Sequence, residues 1–415
     1  MVKFRFQLRQ ASEKVLFIQP LFAIPVYFSV LLGTPPIWSG LVIALIPLGI
    51  RFWLKRRLID RTPFDLPILL FLVGCLVGIF VAPDKTVALA AFSTTIGSAL
   101  IYYGLTGNGT ASNRYWINVS GIIGLLILAA TIWFLSQGNG REYAFNKWAF
   151  QLFRWLPRTD ITLQMHGLGS VLAVVVPPLI AGAIFSRLKW LRLLYLVAGL
   201  FFLFCLVLSD SGTGWLATIF GLAFVFLAWR LWTIAVMIPA AALITALILD
   251  VYSKFASLSQ SLSTIKLLER VHIWANTLPL FTGKYIFVGL GLGSWYDKYQ
   301  VQYGITVQHI HNNYLQIYAD CGILGVLAMV VAYVIFVQLT IRIVTASKNN
   351  AWYGPAVGLA GGIVAGAFFA FLDVTTNGIV ILDNHFMYLS IPVLWIWAAL
   401  LVTAQKKLSV PPMHG

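Results

Sequence analysis

Charge is what this sequence has least of. Only 10% of its 415 residues are Asp, Glu, Lys or Arg, against 60% hydrophobic residues and a mean hydropathy of +0.88. A soluble domain of that length cannot be built with so little polar surface, so composition excludes one and points to a protein that lives in lipid. Acidic residues are the scarcest charged class, 13 against 28 Lys and Arg. Cysteine is rare as well. Cys75, Cys205 and Cys321 are scattered singly, which suggests neither a disulfide framework nor a cysteine metal cluster and reads as buried apolar thiols. Period-two alternation is missing too, which excludes a membrane barrel and leaves helices as the spanning structure.

What is present is a succession of apolar runs separated by short polar or Gly/Pro-rich breaks. At about 20 residues per crossing, they predict an all-α polytopic membrane protein of about 12 transmembrane helices. Their centres fall near Phe22, Leu45, Val73, Ile96, Leu126, Val175, Phe201, Leu222, Ala241, Ala328, Ile363 and Val393. Residues 1–415 read as one integral membrane domain. The N-terminal run follows a basic head but lacks a clean small-residue cleavage site, so it is expected to stay as the first span. Most of the basic residues, among them Lys3, Arg5, Arg51, Lys55, Arg56, Arg57, Arg187, Lys189, Arg342, Lys406 and Lys407, fall on one side of this arrangement. Positive residues in short loops stay in the cytoplasm, so both termini are expected there. That asymmetry accounts for the whole net charge of +15 and removes any need for a nucleic-acid partner.

On this topology the two long connections face outward, as periplasmic segments. One, at 138–165, interleaves Trp148, Phe150, Phe153 and Trp155 with Arg141, Lys147, Arg154 and Arg158, the pattern of an amphipathic helix in the membrane interface. Its basic residues either anchor the surface or, in Arg154 and Arg158, reach a phosphate of a lipid-linked substrate. The other, at 251–313, contains "IKLLERVHIWANTLPLF", in which Ile265, Leu268 and His272 approximate a helical stripe closed by Pro279.

This second segment delivers "QHIHNNYLQIYADCGILG" into the tenth span. If a helix starts at His311, then Leu315, Tyr318, Gly322 and Gly325 share its face, and the two glycines admit a close neighbouring helix. The positive end of the helix disfavours imidazolium, so His311 is expected to be neutral and able to take a proton. Asn312 or Asn313 then caps the helix or orients the ring and a sugar hydroxyl. The blander role for such a histidine is itself a cap or an interfacial contact. Arg270, on an outer stretch rich in Leu, Ile and Trp, calls for an anion, from ligand or protein, and its fork suits phosphate oxygens. "GLGLGSW" lacks the strand and βαβ context of a nucleotide loop, so Gly289, Gly291 and Gly293 read as a tight, close-packed turn. His309 and His311 are two apart and the carboxylates dispersed, so no metal-ligand spacing appears. Few charges fall in mid-span, which weighs against an ion-coupled carrier.

"ERVHIWANTLPLF", "GLGLGSW" and "HIHNNYLQIYADCGILG" together resemble the signature region of the O-antigen ligase and polymerase family of bacterial membrane glycosyltransferases. The resemblance runs from about Glu269 to Gly325. It implies a GT-C-like fold in the bacterial inner membrane and inverting transfer of a polysaccharide from undecaprenyl diphosphate to a sugar hydroxyl, on lipid A-core or another glycan. No nucleotide sugar, cofactor or metal is implied. His311 matches the family histidine that activates the acceptor, and Arg270 the arginine facing the diphosphate. His309, Asn312, Asn313, Arg154 and Arg158 stand as substrate-binding candidates. The family usually places Ser-Arg before the eighth span, where this chain has Ser211-Gly212, so a second arginine is missing there. A glycan polymerase and an inorganic-carbon or other small-solute transporter are the alternative readings.

Overall fold

A computed structural model describes residues 18–31, 38–107, 123–129, 131–132, 165–209, 211–255 and 267–409, apart from 306, 308, 347, 349, 374–376, 383–384 and 391–392. The described chain is overwhelmingly helical. After a 3₁₀ turn at Gln19–Ala23 come α1 (Ile24–Leu31), α2 (Trp38–Lys55), α3 (Asp65–Val81) and α4 (Lys85–Thr106). A helical stretch at 123–129 precedes α5 (Met165–Phe185), α6 (Lys189–Leu208), α7 (Gly212–Ala228) and α8 (Trp232–Phe255). Three shorter helices follow, α9 (Leu267–Thr277), α10 (Tyr285–Val288) and α11 (Trp295–Tyr303), then α12 (Asn313–Val344), α13 (Tyr353–Leu372) and α14 (Val393–Leu408). Among the described residues five helices, in α4, α5, α6, α12 and α13, are long and apolar enough to cross a membrane, and Asp65–Val81, Gly212–Ala228 and Trp232–Ile248 are shorter apolar ones.

The expected centres from Phe22 to Ile363 fall on helical residues. The last does not. Val393 begins α14 instead of centring a span, and the residues before it form an antiparallel pair, β1 (Asn377–Leu382) with β2 (His385–Ser390), in the register Asn377↔Ser390 to Leu382↔His385. The described chain is helical as expected apart from this one short hairpin. "NGIVIL" and "HFMYLS" are β-branched and aromatic runs around a two-residue break, chemistry that suits a hairpin as well as a span. The segment 138–165 lies, but for its last residue, outside the described residues.

Inside the bundle α5, α7 and α13 pack on one another, α12 lies along α3, and α14 rests against α4 and α13. Small residues permit the closest approach: a Cβ on Gly221 of α7 would meet the Gly361 carbonyl of α13 at 2.7 Å, and one on Gly361 would meet the Gly221 carbonyl at 2.9 Å. On the outside, α6 exposes Trp190, Leu193, Leu194, Val197 and Leu200, and α8 exposes Val236, Met237, Ile244 and Ile248. Water would penalise such a surface and lipid does not, so the chain is a membrane protein.

The short helices α9 to α11 form a separate layer around buried Phe281, Leu290, Trp295, Tyr299 and Ile310. Trp295 donates its indole N–H to Thr277 Oγ1 at 3.2 Å, which ties α11 to the end of α9. The stripe expected on α9 is turned the other way. Leu268, Val271 and His272 are exposed, whereas Arg270 and Thr277 are buried, with Ile273 and Trp274 half-buried beside them. An amphipathic helix in water buries its apolar face; exposed apolar side chains are the pattern of a helix in the membrane interface.

Candidate functional site

Four chain segments converge at one end of the bundle: the start of α7, the first turn of α9, residues 309–313 ahead of α12, and the last residues of α13. Arg270 is buried and bridges three of them. Its Nη1 donates to Thr213 Oγ1 at 3.1 Å and to the Leu372 carbonyl, and its Nη2 lies 3.4 Å from Asp373 Oδ2. The anion that Arg270 called for is therefore present as a protein carboxylate. Asp373 ends α13 in an extended conformation, with its N–H returned to the Phe369 carbonyl, and it is itself buried.

Both histidines meet the same carboxylate. His309 Nε2 lies 3.1 Å and His311 Nδ1 3.3 Å from Asp373 Oδ1, and the two rings sit 4.0 Å apart between centroids. The rings lie together while Ile310 between them is buried in the α9–α11 layer. Trp274 holds that backbone by donating its indole N–H to the Ile310 carbonyl at 3.0 Å. His311 has φ of 54°, a left-handed conformation that non-glycine residues seldom adopt and that recurs at functional sites.

A carboxylate only accepts hydrogen bonds, so each ring nitrogen that faces Asp373 carries its hydrogen there. On His311 this leaves the Nε2 lone pair free. The His311 side chain keeps 28% of its surface open, against 9% for His309, so His311 is the ring a substrate can reach. On His309 the remaining nitrogen, Nδ1, is buried without a hydrogen-bond partner among the described residues. Burial, and then the neighbouring His309, push the His311 pKa down to about 4 against the pull of Asp373, so the ring is neutral at ordinary pH. Burial raises the Asp373 carboxyl, but hydrogen bonds from His309 and His311, followed by the charges of His311 and Arg270, outweigh it and hold Asp373 well below the usual carboxylate range.

The ligating atoms of His309, His311 and Asp373 lie within 4.8 Å of one another, a grouping that no spacing in the sequence displays. Arg270 already answers the negative charge of that carboxylate, which favours a hydrogen-bonded acid–base cluster over a cation site.

The helix begins two residues later than expected. Asn313 is the first residue of α12, and Asn312 caps it by accepting from the N–H groups of Tyr314 and Leu315, both at 3.0 Å. Asn312 Nδ2 donates to the Phe371 carbonyl at 3.0 Å, so this side chain ties α12 to α13 beside Asp373. His311 therefore lies before the helix, and a shared face with Leu315, Tyr318, Gly322 and Gly325 does not extend to it. At Gly322 α12 breaks, with φ 61° and ψ −151°. What comes close there is the Phe287–Gly289 backbone, where the short helix α10 runs into the glycine turn.

That turn is the tight one expected of "GLGLGSW". Gly289, Gly291 and Gly293 all have positive φ. The Leu290 and Gly291 N–H groups reach the Ala319 carbonyl at 2.6 and 3.3 Å, that of Leu292 reaches the Gly78 carbonyl of α3 at 3.1 Å, and that of Gly293 reaches Asp320 Oδ1 at 3.0 Å. Asp320, which Gln316 Nε2 also contacts at 3.1 Å, is a buried acid inside α12. The expectation of nearly charge-free spans missed it.

A cavity of about 230 Å³ runs between α3, α12, α13 and α14, lined by Phe64, Phe71, Phe336 and Trp395, and Asn313 and Tyr314 form part of its wall. Its lining is almost wholly apolar. The Tyr314 hydroxyl donates to the Ala367 carbonyl at 2.6 Å and receives the Tyr333 hydroxyl at 2.7 Å, so neither phenol is left unsatisfied.

Of the residues singled out from the sequence, Arg270, His309 and His311 meet on Asp373, and Asn312 and Asn313 adjoin that cluster at the start of α12. Arg154 and Arg158 lie outside the described residues. Gly212, where a second arginine is missing, directly precedes Thr213, the Arg270 partner. Asp373 was missed. One signal pointed to it: on the topology expected from the sequence the eleventh span runs outward, which puts the acid in "FLDVTTNG" on the same side as the start of the tenth-span helix.

Fold and site together define a polytopic helical membrane protein with an Arg–Asp–His cluster at one rim of its bundle. Residues 196–330 match the family model described as O-Antigen ligase. The chain is thus O-antigen ligase-like over a stretch that holds Arg270, His309 and His311, and the family implies a membrane glycosyltransferase-like enzyme. No curated protein matches the chain significantly.

Proposed function

We propose that the protein transfers a glycan from an isoprenoid diphosphate to a sugar hydroxyl, with inversion and without a metal, at the outer rim of the bacterial inner membrane. The observation that carries this reading is the convergence of Arg270 and His311 on Asp373, within a family that acts on lipid-linked glycans. His311 Nε2 takes the proton of the acceptor hydroxyl as the oxygen attacks the anomeric carbon. Asp373 accepts from Nδ1 and stabilises the imidazolium that forms. Arg270 neutralises charge that develops on the departing diphosphate, its Nη2 exchanging the long contact to Asp373 for a phosphate oxygen. Asn313 and His309 border the acceptor, Arg154 and Arg158 supply further phosphate contacts, and the apolar cavity beside Asn313 suits the first isoprene units of the donor.

The favoured acceptor is lipid A-core, which makes the protein an O-antigen ligase. The other reading within the family is a polymerase that extends a glycan still on its carrier. A transporter is disfavoured because the cluster sits at a rim and not along a path through the bundle. Purified protein incubated with a diphosphate-linked glycan and either lipid A-core or a second lipid-linked glycan tests the assignment. Glycosylated lipid A-core is the expected product; elongation of the carrier-bound glycan would make the protein a polymerase, and no product with either would reject transferase activity.

A further inference from the structure

The three cysteines, scattered in sequence, do not remain scattered in the fold. Cys75 on α3 and Cys321 on α12, 246 positions apart, face each other with their sulfurs 3.3 Å apart, and both are fully buried. Cys205 lies on α6 and is a separate buried thiol. The close approach is built into the backbone. Gly74, next to Cys75, has no side chain, and a Cβ there would meet Cys321 Cβ at 3.0 Å; Gly78, one turn on, lies against the Asp320 carbonyl. A disulfide needs Cβ atoms about 3.5–4.5 Å apart and sulfurs at about 2.05 Å. The sulfurs, 3.3 Å apart, need to close by little more than 1 Å, a movement within reach of side-chain rotation.

We propose that Cys75 and Cys321 are a disulfide-forming pair that cross-links α3 to α12. Cys321 lies eight residues into α12, about 12 Å of helix from the rim that carries His311. The pair therefore sits in the half of the bundle nearest the site and next to the break at Gly322. Both helices line the apolar cavity, α3 through Phe64 and Phe71 and α12 through Ile317 and Gly325, so the cross-link fixes one of its walls. The oxidant is a disulfide, either that of a thiol-oxidising protein or a small-molecule one. One cysteine thiolate attacks it and forms a mixed disulfide, releasing one thiol. The second cysteine then displaces the other, so two cysteine protons and two electrons leave as the oxidant becomes two thiols. Because both sulfurs are buried in the folded protein, the exchange takes place as α3 and α12 come together during folding, in an oxidising compartment.

The full-length protein, prepared without reductant, is denatured in N-ethylmaleimide and weighed, then reduced, alkylated again and weighed a second time. The expected result is one maleimide addition before reduction, on Cys205, and three after it, with a non-reduced proteolytic fragment joining the Cys75 and Cys321 peptides. Cys205→Ser should take no maleimide before reduction, and Cys75→Ser should take two. Three additions to the unreduced wild-type protein, or a link from either residue to Cys205 or to a second chain, would overturn the proposal. The pairing does not depend on glycan transfer, and its failure leaves the His311 site as described.

Discussion

In the proposed reaction His311 is the base, and three separate influences suit it to that role. Burial and His309 keep the ring neutral, Asp373 fixes which nitrogen carries the hydrogen, and the left-handed backbone turns the ring toward that carboxylate. The sign of the pH dependence follows. A histidine in water begins to lose its basic form below a pH of about 6.5. His311 keeps its basic form until the pH approaches about 4, so transfer should persist at pH 5 to 6 and fail only in stronger acid. The kcat/KM profile reads this directly, and an acidic limb near 6.5 would contradict it. Asp373→Asn removes the partner that raises the His311 pKa, so the ring becomes a still weaker base. We expect transfer to drop by about 10²–10⁴-fold, the range of a general-base contribution, with no movement of the acidic limb to higher pH. His311, His309 and Arg270 stand out in the sequence because polar residues are scarce there. Asp373 does not, since its role depends on the end of α13 meeting the start of α12, 62 positions away from His311.

At the scale of elements, the break in α12 and the glycine turn form one joint. Gly322 and Gly289, with φ/ψ near 61°/−151° and 76°/−173°, occupy backbone conformations that other residues avoid at a cost of about 1–3 kcal/mol. A Cβ on Gly289 would meet the Ala319 carbonyl at 2.6 Å, and one on Gly322 would press on the Phe287–Gly289 backbone. Gly322→Ala and Gly289→Ala should each lower the melting temperature in detergent, whereas Gly283→Ala, which has nothing within 4 Å, should cost less despite its own positive φ. Equal losses at all three positions would argue against the joint. Asp320 is the pin of that joint through Gly293. Asp320→Asn keeps an acceptor for the Gly293 N–H, so it should be milder than Asp320→Ala. The turn is legible in sequence because three glycines at alternate positions have few other uses. The helix start and the buried face of α9 are not, because an apolar stripe beside a membrane has two hosts, protein and lipid, and periodicity does not choose between them.

Across the whole molecule the apolar runs are legible because lipid imposes the same length and polarity on every crossing. Around 377–408 the rule fails, since a hairpin of β-branched and aromatic residues reads as half a span. The orientation set by basic residues is open to a simple check. A cysteine replacing the highly exposed Val301 on α11 should react with an impermeant thiol reagent from outside the cell, and one replacing Arg187, between α5 and α6, should not. The native thiols are buried and give no background. Reversed labelling would put the Arg270–Asp373–His311 cluster in the cytoplasm. The central claim, that this cluster moves a glycan from its lipid carrier, is tested most directly with purified protein in a single turnover on a diphosphate-linked glycan. Release of the free isoprenoid diphosphate should match glycosylated acceptor in amount, and both should vanish in His311→Ala and Arg270→Ala variants that remain folded. Undiminished release by either variant would contradict it.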